Sequence, residues 1–283
     1  MLKQRVLTAA LLVPLVVAAV FYLPFSAFVA VIAAVTLLGH WEWTQFVSSS
    51  SRWLTFIVPA AALALSIYSL PFSAYALSHL AVAPFSVAAA GAAWWLFATG
   101  LVLAFPKSGA LWTHSRLLRQ LFGLLTLLPF MWSVLILRAA DYQFSTYYGA
   151  KLVLLVFVLV WCADSGAYFA GKAFGKHKMA PAVSPNKTLE GLLGGLVAAV
   201  AVTWAGAQLL DIHFASVGAL LCIAVVTALA SVLGDLAESM FKRVSGVKDS
   251  GNLLPGHGGI LDRIDSLTAA FPVFTVLYFA FAN

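Results

Sequence analysis

Nine stretches of this chain are apolar over the length that a helix needs to cross a bilayer, and that feature leaves few folds open. They fall at 6–23, 25–46, 53–70, 79–105, 117–137, 152–170, 189–210, 214–233 and 266–282. A membrane-crossing helix takes about 20 mainly apolar residues, with a range of about 17–25. Too little charge remains between the stretches to coat a water-facing surface. Of the 283 residues, 9% are charged and 63% hydrophobic, with a mean hydropathy of +0.99. Soluble domains carry about 25% and about 45–50%. A soluble enzyme, a disordered chain and a disulfide-stapled secreted domain are excluded.

The expected fold is an all-α polytopic integral membrane protein with about nine transmembrane helices, built as a single domain over 1–283. Apolar helices occupy 1–140, and 141–283 bears the candidate catalytic residues, with cytoplasmic loops at 171–188 and 234–265. The first stretch is too long for a signal-peptide core and no small-residue cleavage site follows it, so it is expected to stay as a membrane helix. The fourth contains Pro84, so its helix begins either near His79 or near Phe85.

Fourteen of the sixteen Lys and Arg fall at the N-terminus or in even-numbered loops; Arg138 and Lys151 are the two exceptions. Positive charge stays on the cytoplasmic side, which places the N-terminus inside and the C-terminus outside. The net charge of +6 and pI of 9.4 belong to that bias and to anionic lipid headgroups rather than to nucleic acid. Cys162 and Cys222 sit in apolar runs and form neither a metal-ligand spacing nor a disulfide framework. No internal or inverted repeat is visible, which weighs against a transporter.

Acidic residues gather in the second half; the first 140 residues hold one, Glu42. The densest segment is 234–265, GDLAESMFKRVSGVKDSGNLLPGHGGILDRID. If the eighth helix continues into it, Asp235, Glu238, Ser239 and Lys242 share one face. Asp262 and Asp265, three apart, point to one side where the ninth helix begins. Carboxylates at the ends of two neighbouring spans suit a hard cation, and Mg²⁺ is typically held by one or two of them together with substrate phosphates. Lys242, Arg243 and Lys248 precede a glycine-rich stretch with Gly251, Gly256, Gly258 and Gly259. Glycines let backbone N–H groups approach a phosphate, and Lys or Arg neutralises its charge. Any one of these charges by itself reads as solvated loop; together they read as a polyphosphate–metal site.

A second polar segment, 161–191, reads WCADSGAYFAGKAFGKHKMAPAVSPNKTLEG. Asp164 falls inside an apolar run, where a carboxylate needs a partner or a cation. Lys172, Lys176, Lys178 and Lys187 form a basic loop. Ser184-Pro185 reads as an N-cap and first helical position, which puts Lys187, Thr188 and Glu190 in the first turn of the seventh helix. His177 and His257 are candidate bases or phosphate donors without a zinc-ligand spacing. His40, His79, His114 and His213, and Trp41, Trp43, Trp94, Trp95 and Trp112, read as packing or interface residues. Glu42 is the one acid of the first half to watch.

On these residues the chain closely resembles the phosphatidate cytidylyltransferase (CDP-diacylglycerol synthase) family. The family signature is met by Ser239, Phe241, Lys242, Arg243, Lys248, Asp249, Gly251, Leu254, Pro255, His257, Gly258, Gly259, Ile260, Asp262, Arg263, Ile264 and Asp265 without departure. An upstream block is matched by Asp164, Ala167, Tyr168, Gly171, Ser184, Pro185, Lys187, Thr188, Glu190 and Gly191.

The resemblance implies transfer of the cytidylyl group of CTP to phosphatidate, giving CDP-diacylglycerol and pyrophosphate, in phospholipid biosynthesis. It implies Mg²⁺, with room for a second cation, and a homodimer in the cell membrane whose active site faces the cytoplasm. Asp235, Lys248, Asp249, His257, Asp262, Arg263 and Asp265 are then the expected catalytic residues, and Asp235, Asp262 and Asp265, joined by Asp164, the expected metal ligands. Lys242, Arg243 and the loop through Gly258 and Gly259 would cradle the triphosphate. Lys172, Lys176, Ser184, Lys187, Thr188, Glu190 and Ser239 would hold CTP or the lipid headgroup. Three other readings remain: a transporter using intramembrane acids, a CDP-alcohol phosphotransferase, whose DGxxAR run is absent, and a CTP-using enzyme acting on another lipid phosphate.

Overall fold

A computed structural model of the protein describes residues 2–47, 51–69, 74–79, 82–253, 256 and 258–281. The helices α1 (Leu2–Tyr22), α2 (Phe25–Trp43) and α3 (Arg52–Ser69) come first, with a 3-10 turn at Thr44–Val47 after α2. A short α4 (Ala74–His79), α5 (Val82–Leu103), a one-turn α6 (Gly109–Trp112), α7 (Arg116–Ala139) and α8 (Tyr148–Phe174) follow. A small hairpin, β1 (Lys178–Ala180) and β2 (Ser184–Thr188), then leads into α9 (Leu189–Leu210), α10 (Val217–Val244) and α11 (Leu261–Ala280). The protein is an all-α polytopic membrane protein. Among the described residues seven helical stretches are long and apolar enough to cross a membrane. Helix α1 runs through the first apolar stretch to Tyr22, and the first turns of α11 hold Asp262, Arg263 and Asp265. Pro84 falls in the first turn of α5, where an absent N–H breaks no helical bond.

The centre of the bundle is α7 and α11. Phe130, Met131, Val134 and Leu135 of α7 and Ala269, Phe271 and Phe274 of α11 are buried, and Phe130 meets Phe271 edge-on at 5.7 Å. Helices α5, α8 and α10 pack around this pair. The α8–α9 contact is close because small residues face each other: a Cβ added to Gly194 would stand 2.2 Å from Ala170 Cβ. Without a hydrophobic drive inside lipid, such small-residue faces let helices gain packing. By contrast α3 buries only Thr55, Pro59 and Leu63 and turns Trp53, Leu54, Ile57 and Leu65 outward, a face suited to acyl chains.

Two expectations are corrected. The helix of 189–210 is not capped by Ser184, because Ser184–Thr188 is a strand pairing with β1, Lys178 opposite Thr188 and Ala180 opposite Ser184. Thr188 is the cap, and its side chain accepts from Gly191 N at 3.1 Å. The residue before a proline is driven to extended backbone, and a two-stranded hairpin leaves Pro185 an open edge. The second correction concerns loop extents: 171–174 is the last turn of α8 and 234–244 the last turns of α10, so the loops are shorter than expected.

Cross-helix bonds place particular helix ends together. Trp43 Nε1 donates to Arg119 O at 2.8 Å and Arg119 Nη1 to Phe46 O at 3.0 Å, which joins the end of α2 to the start of α7. At the opposite end Tyr148 and Tyr278 share a hydrogen bond of 2.7 Å, and Arg138 donates to Val20 O at 2.9 Å.

Candidate active site

The polar segments meet where α8 and α10 end and α9 and α11 begin. Because α10 continues to Val244, Asp235, Glu238, Ser239 and Lys242 do share a face. That face looks at the first turns of α11. Lys242 Nζ lies 3.1 Å from Glu238 Oε2 and 2.9 Å from Asp262 Oδ1. The Asp262 carboxylate also accepts from Ser250 N at 2.9 Å and Gly259 N at 2.8 Å. Asp262 thus ties Ser250 and Gly259 to the start of its own helix. Gly256 (φ +77°) and Gly258 (φ +80°) take left-handed backbone, and a Cβ on Gly258 would strike the Asp262 carboxylate at 2.6 Å.

The space enclosed is a cavity of about 700 Å³. Its wall takes Asp164, Tyr168 and Lys172 from α8, Asn186, Lys187 and Thr188 from β2, and Asp235 and Lys242 from α10. Asp249 from the loop and Asp262, Arg263, Asp265 and Ser266 from α11 complete it. Lys187 Nζ sits 2.6 Å from Asp235 Oδ2, so one cation already stands among the acids. Ser239 Oγ donates to Asp235 Oδ1 at 3.3 Å, while Lys172 Nζ lies 5.9 Å from the Tyr168 ring centre.

Among the described residues no three His, Cys, Asp or Glu side chains meet as a ready metal cage. Glu238 Oε1 is buried with no hydrogen-bond partner, while its Oε2 faces Lys242 Nζ. Asp164, Asp235 and Asp265 stand on the cavity wall, and such carboxylates fit a hard cation that takes one or two of them and completes its shell with water and phosphate oxygens.

The chain matches the cytidylyltransferase family over residues 3–281. It is 44% identical over 294 residues to a phosphatidate cytidylyltransferase of Haemophilus influenzae, covering 99% of both chains. A phosphatidate cytidylyltransferase of Pseudomonas aeruginosa is 45% identical over 282 residues, 99% of this chain and 98% of that one. The chain belongs to the cytidylyltransferase family. A shorter match, 48% identical over 129 residues, joins it to the phosphatidate cytidylyltransferase of Staphylococcus aureus across 46% of this chain and 49% of that protein.

The residues expected at the site separate by position. Asp164, Lys172, Lys187, Thr188, Asp235, Lys242, Asp249, Asp262, Arg263 and Asp265 line the cavity. Lys176, Ser184, Glu190, Ser239, Arg243, Lys248, Gly258 and Gly259 are not on its wall. Glu190 instead gathers the turn before β1, accepting from Lys176 N at 3.0 Å and His177 Nδ1 at 2.6 Å. Arg243 Nε donates to Val183 O at 3.3 Å and so ties the end of α10 to the hairpin. Lys248 is exposed, and His257 lies outside the described residues. Sequence reasoning gave no role to Tyr168, Asn186 and Ser266, which line the cavity; for the first two the signal was their place inside the upstream block.

Proposed function

We infer that the chain transfers the cytidylyl group of CTP to phosphatidate, yielding CDP-diacylglycerol and pyrophosphate for phospholipid biosynthesis. The carrying observation is one cavity, lined by acids and bases together, at the helix ends of an otherwise apolar bundle. A phosphate oxygen of phosphatidate bonds to the α-phosphorus of CTP as the bond from that phosphorus to the bridging oxygen breaks, and pyrophosphate departs with the bonding electrons. The substrate brings the nucleophile, so the protein's task is positioning and charge stabilisation. Lys172, Lys187 and Arg263 supply the positive wall that phosphates need. Asp265 and Asp164, joined by Asp235 once a cation displaces Lys187 from it, are the carboxylates we assign to Mg²⁺, whereas Asp262 stays engaged by Lys242 and two backbone N–H groups. Mg²⁺ supplies charge neutralisation on the phosphates when bound.

The Lys and Arg asymmetry supports a cytoplasmic mouth, where CTP is dissolved, while the lipid arrives from the bilayer. Radiolabelled CTP, offered to the purified protein in mixed micelles with and without phosphatidate and Mg²⁺, tests the reading. Label is expected in chloroform-extractable lipid only when both are present, and not with Asp265→Asn. An inactive but monodisperse wild-type protein overturns the assignment of phosphatidate; label without Mg²⁺ overturns that of the metal.

A further inference from the structure

The residues that carry the reaction lie in the second half of the chain, yet the single acid of the first 140 residues ends beneath them. Glu42, in the last turn of α2, is only 5% exposed. Its Oε2 accepts from Ser250 Oγ at 3.1 Å and Leu261 N at 2.7 Å, and its Oε1 accepts from Ile260 N at 3.0 Å. One carboxylate therefore joins the start of the loop after α10 to the first residues of α11. Gln45, one turn on, donates Nε2 to Ser250 O at 2.5 Å. Ser250 has no exposed surface and accepts from Asp262 N at 3.2 Å, so it links Glu42 to Asp262. The loop backbone rests directly on Glu42. A Cβ on Gly251 would stand 2.4 Å from Oε1, and one on Gly259 2.4 Å from Oε2.

Glu42 is not part of the cavity wall. What it holds is: Asp249 precedes Ser250, and Arg263 and Asp265 follow Leu261 within the first turns of α11. We propose that Glu42 is a positioning residue for cytidylyl transfer, fixing Ser250, Gly251 and the start of α11 so that Asp249, Arg263 and Asp265 face the substrate phosphates. A carboxylate suits this place because it only accepts and all three partners are donors, two of them backbone N–H groups at the N-terminus of α11, where the dipole favours negative charge. Gln has the same shape but turns an N–H₂ group against at least one of those donors. The proposal rests on the cytidylyltransferase reading above.

The test compares wild type, Glu42→Gln and Ser250→Ala in mixed micelles. The readouts are kcat and KM for CTP and phosphatidate per monodisperse molecule, melting temperature, and amide exchange along the chain. Misplacement of reacting groups by about 1 Å costs on the order of 10²-fold in rate, and a loss of that order in kcat is expected for Glu42→Gln. It should come with faster exchange confined to 250–262 and a smaller change in KM for CTP. Ser250→Ala, which removes one of the three bonds to Glu42 together with the acceptor of Asp262 N, keeps both backbone bonds to Glu42 and should shift the same quantities less. Wild-type kcat per folded molecule in Glu42→Gln, with only the melting temperature lowered, overturns the proposal and leaves a purely structural acid. If Glu42→Gln yields no monodisperse protein, the same readouts on Ser250→Ala decide. An inactive wild type is a failure of the function reading, and the exchange pattern still reports on Glu42.

Discussion

Lys242 serves two acids at once, Glu238 at 3.1 Å and Asp262 at 2.9 Å, with only 13% of its side chain exposed. Removing one partner from a buried ionic cluster leaves uncompensated charge and typically costs about 3–5 kcal/mol. Lys242→Met should therefore lower the melting temperature markedly, and adding Glu238→Gln should restore part of it; an unchanged melting temperature in the single variant rules out this account. Thr188 and Ser184 give a paired comparison. Thr188→Ala removes the N-cap of α9 and should destabilise by about 0.5–2 kcal/mol, whereas Ser184→Ala touches no cap and should be near neutral in thermal unfolding. At this scale the identities of the acids and bases were legible, because charge in an apolar chain stands out. Their partners were not, since pattern alone cannot say that the Asp262 carboxylate would be taken by backbone N–H groups at 250 and 259.

Helix α10 outruns its apolar stretch by more than two turns, and this extension carries Asp235, Glu238 and Lys242 to the cavity. Their spacing made that continuation readable. The hairpin before α9 was not readable, because Ser-Pro is compatible with both a helix start and an extended strand. The α8–α9 pair depends on missing side chains: Gly166 faces Ala198 and the backbone of Gly194, and Gly194 faces Ala170. Gly194→Val should push the two helices apart at a cost of at least the 1–3 kcal/mol usual for overpacking, and reduce turnover by widening the cavity between them. Gly100→Ala is the control, as a Cβ there meets nothing within 4 Å. Melting temperature and CTP turnover of both variants in the same detergent check this; equal behaviour of the two would contradict the packing explanation.

Across the whole molecule, the helix ends that carry the site lie on one side of the bundle, and the ends marked by Arg138, Tyr148 and Tyr278 lie on the other. Arg138, an exception to the charge asymmetry, is 4% exposed and spends its donors on Val20 O and Thr146 O, so it counts as a packing residue. With the site facing the cytoplasm, Ser145→Cys in right-side-out vesicles should react with an impermeant maleimide, and Ser245→Cys should react only after permeabilisation. The native Cys162 and Cys222 are first replaced by Ala. The reverse pattern inverts the topology and puts the cavity on the side without CTP.

Composition and apolar periodicity by themselves determined that this chain is a helical membrane protein, since a surface so poor in charge has no other solvent, and the gapped run of acids, bases and glycines carried the resemblance to the cytidylyltransferase family. Which acids line the cavity and which hold the backbone was decided only by tertiary structure. A buried carboxylate goes to whatever donors the fold brings within about 3 Å. For Glu42 those donors come from residues more than 200 positions away, a separation that no local pattern encodes.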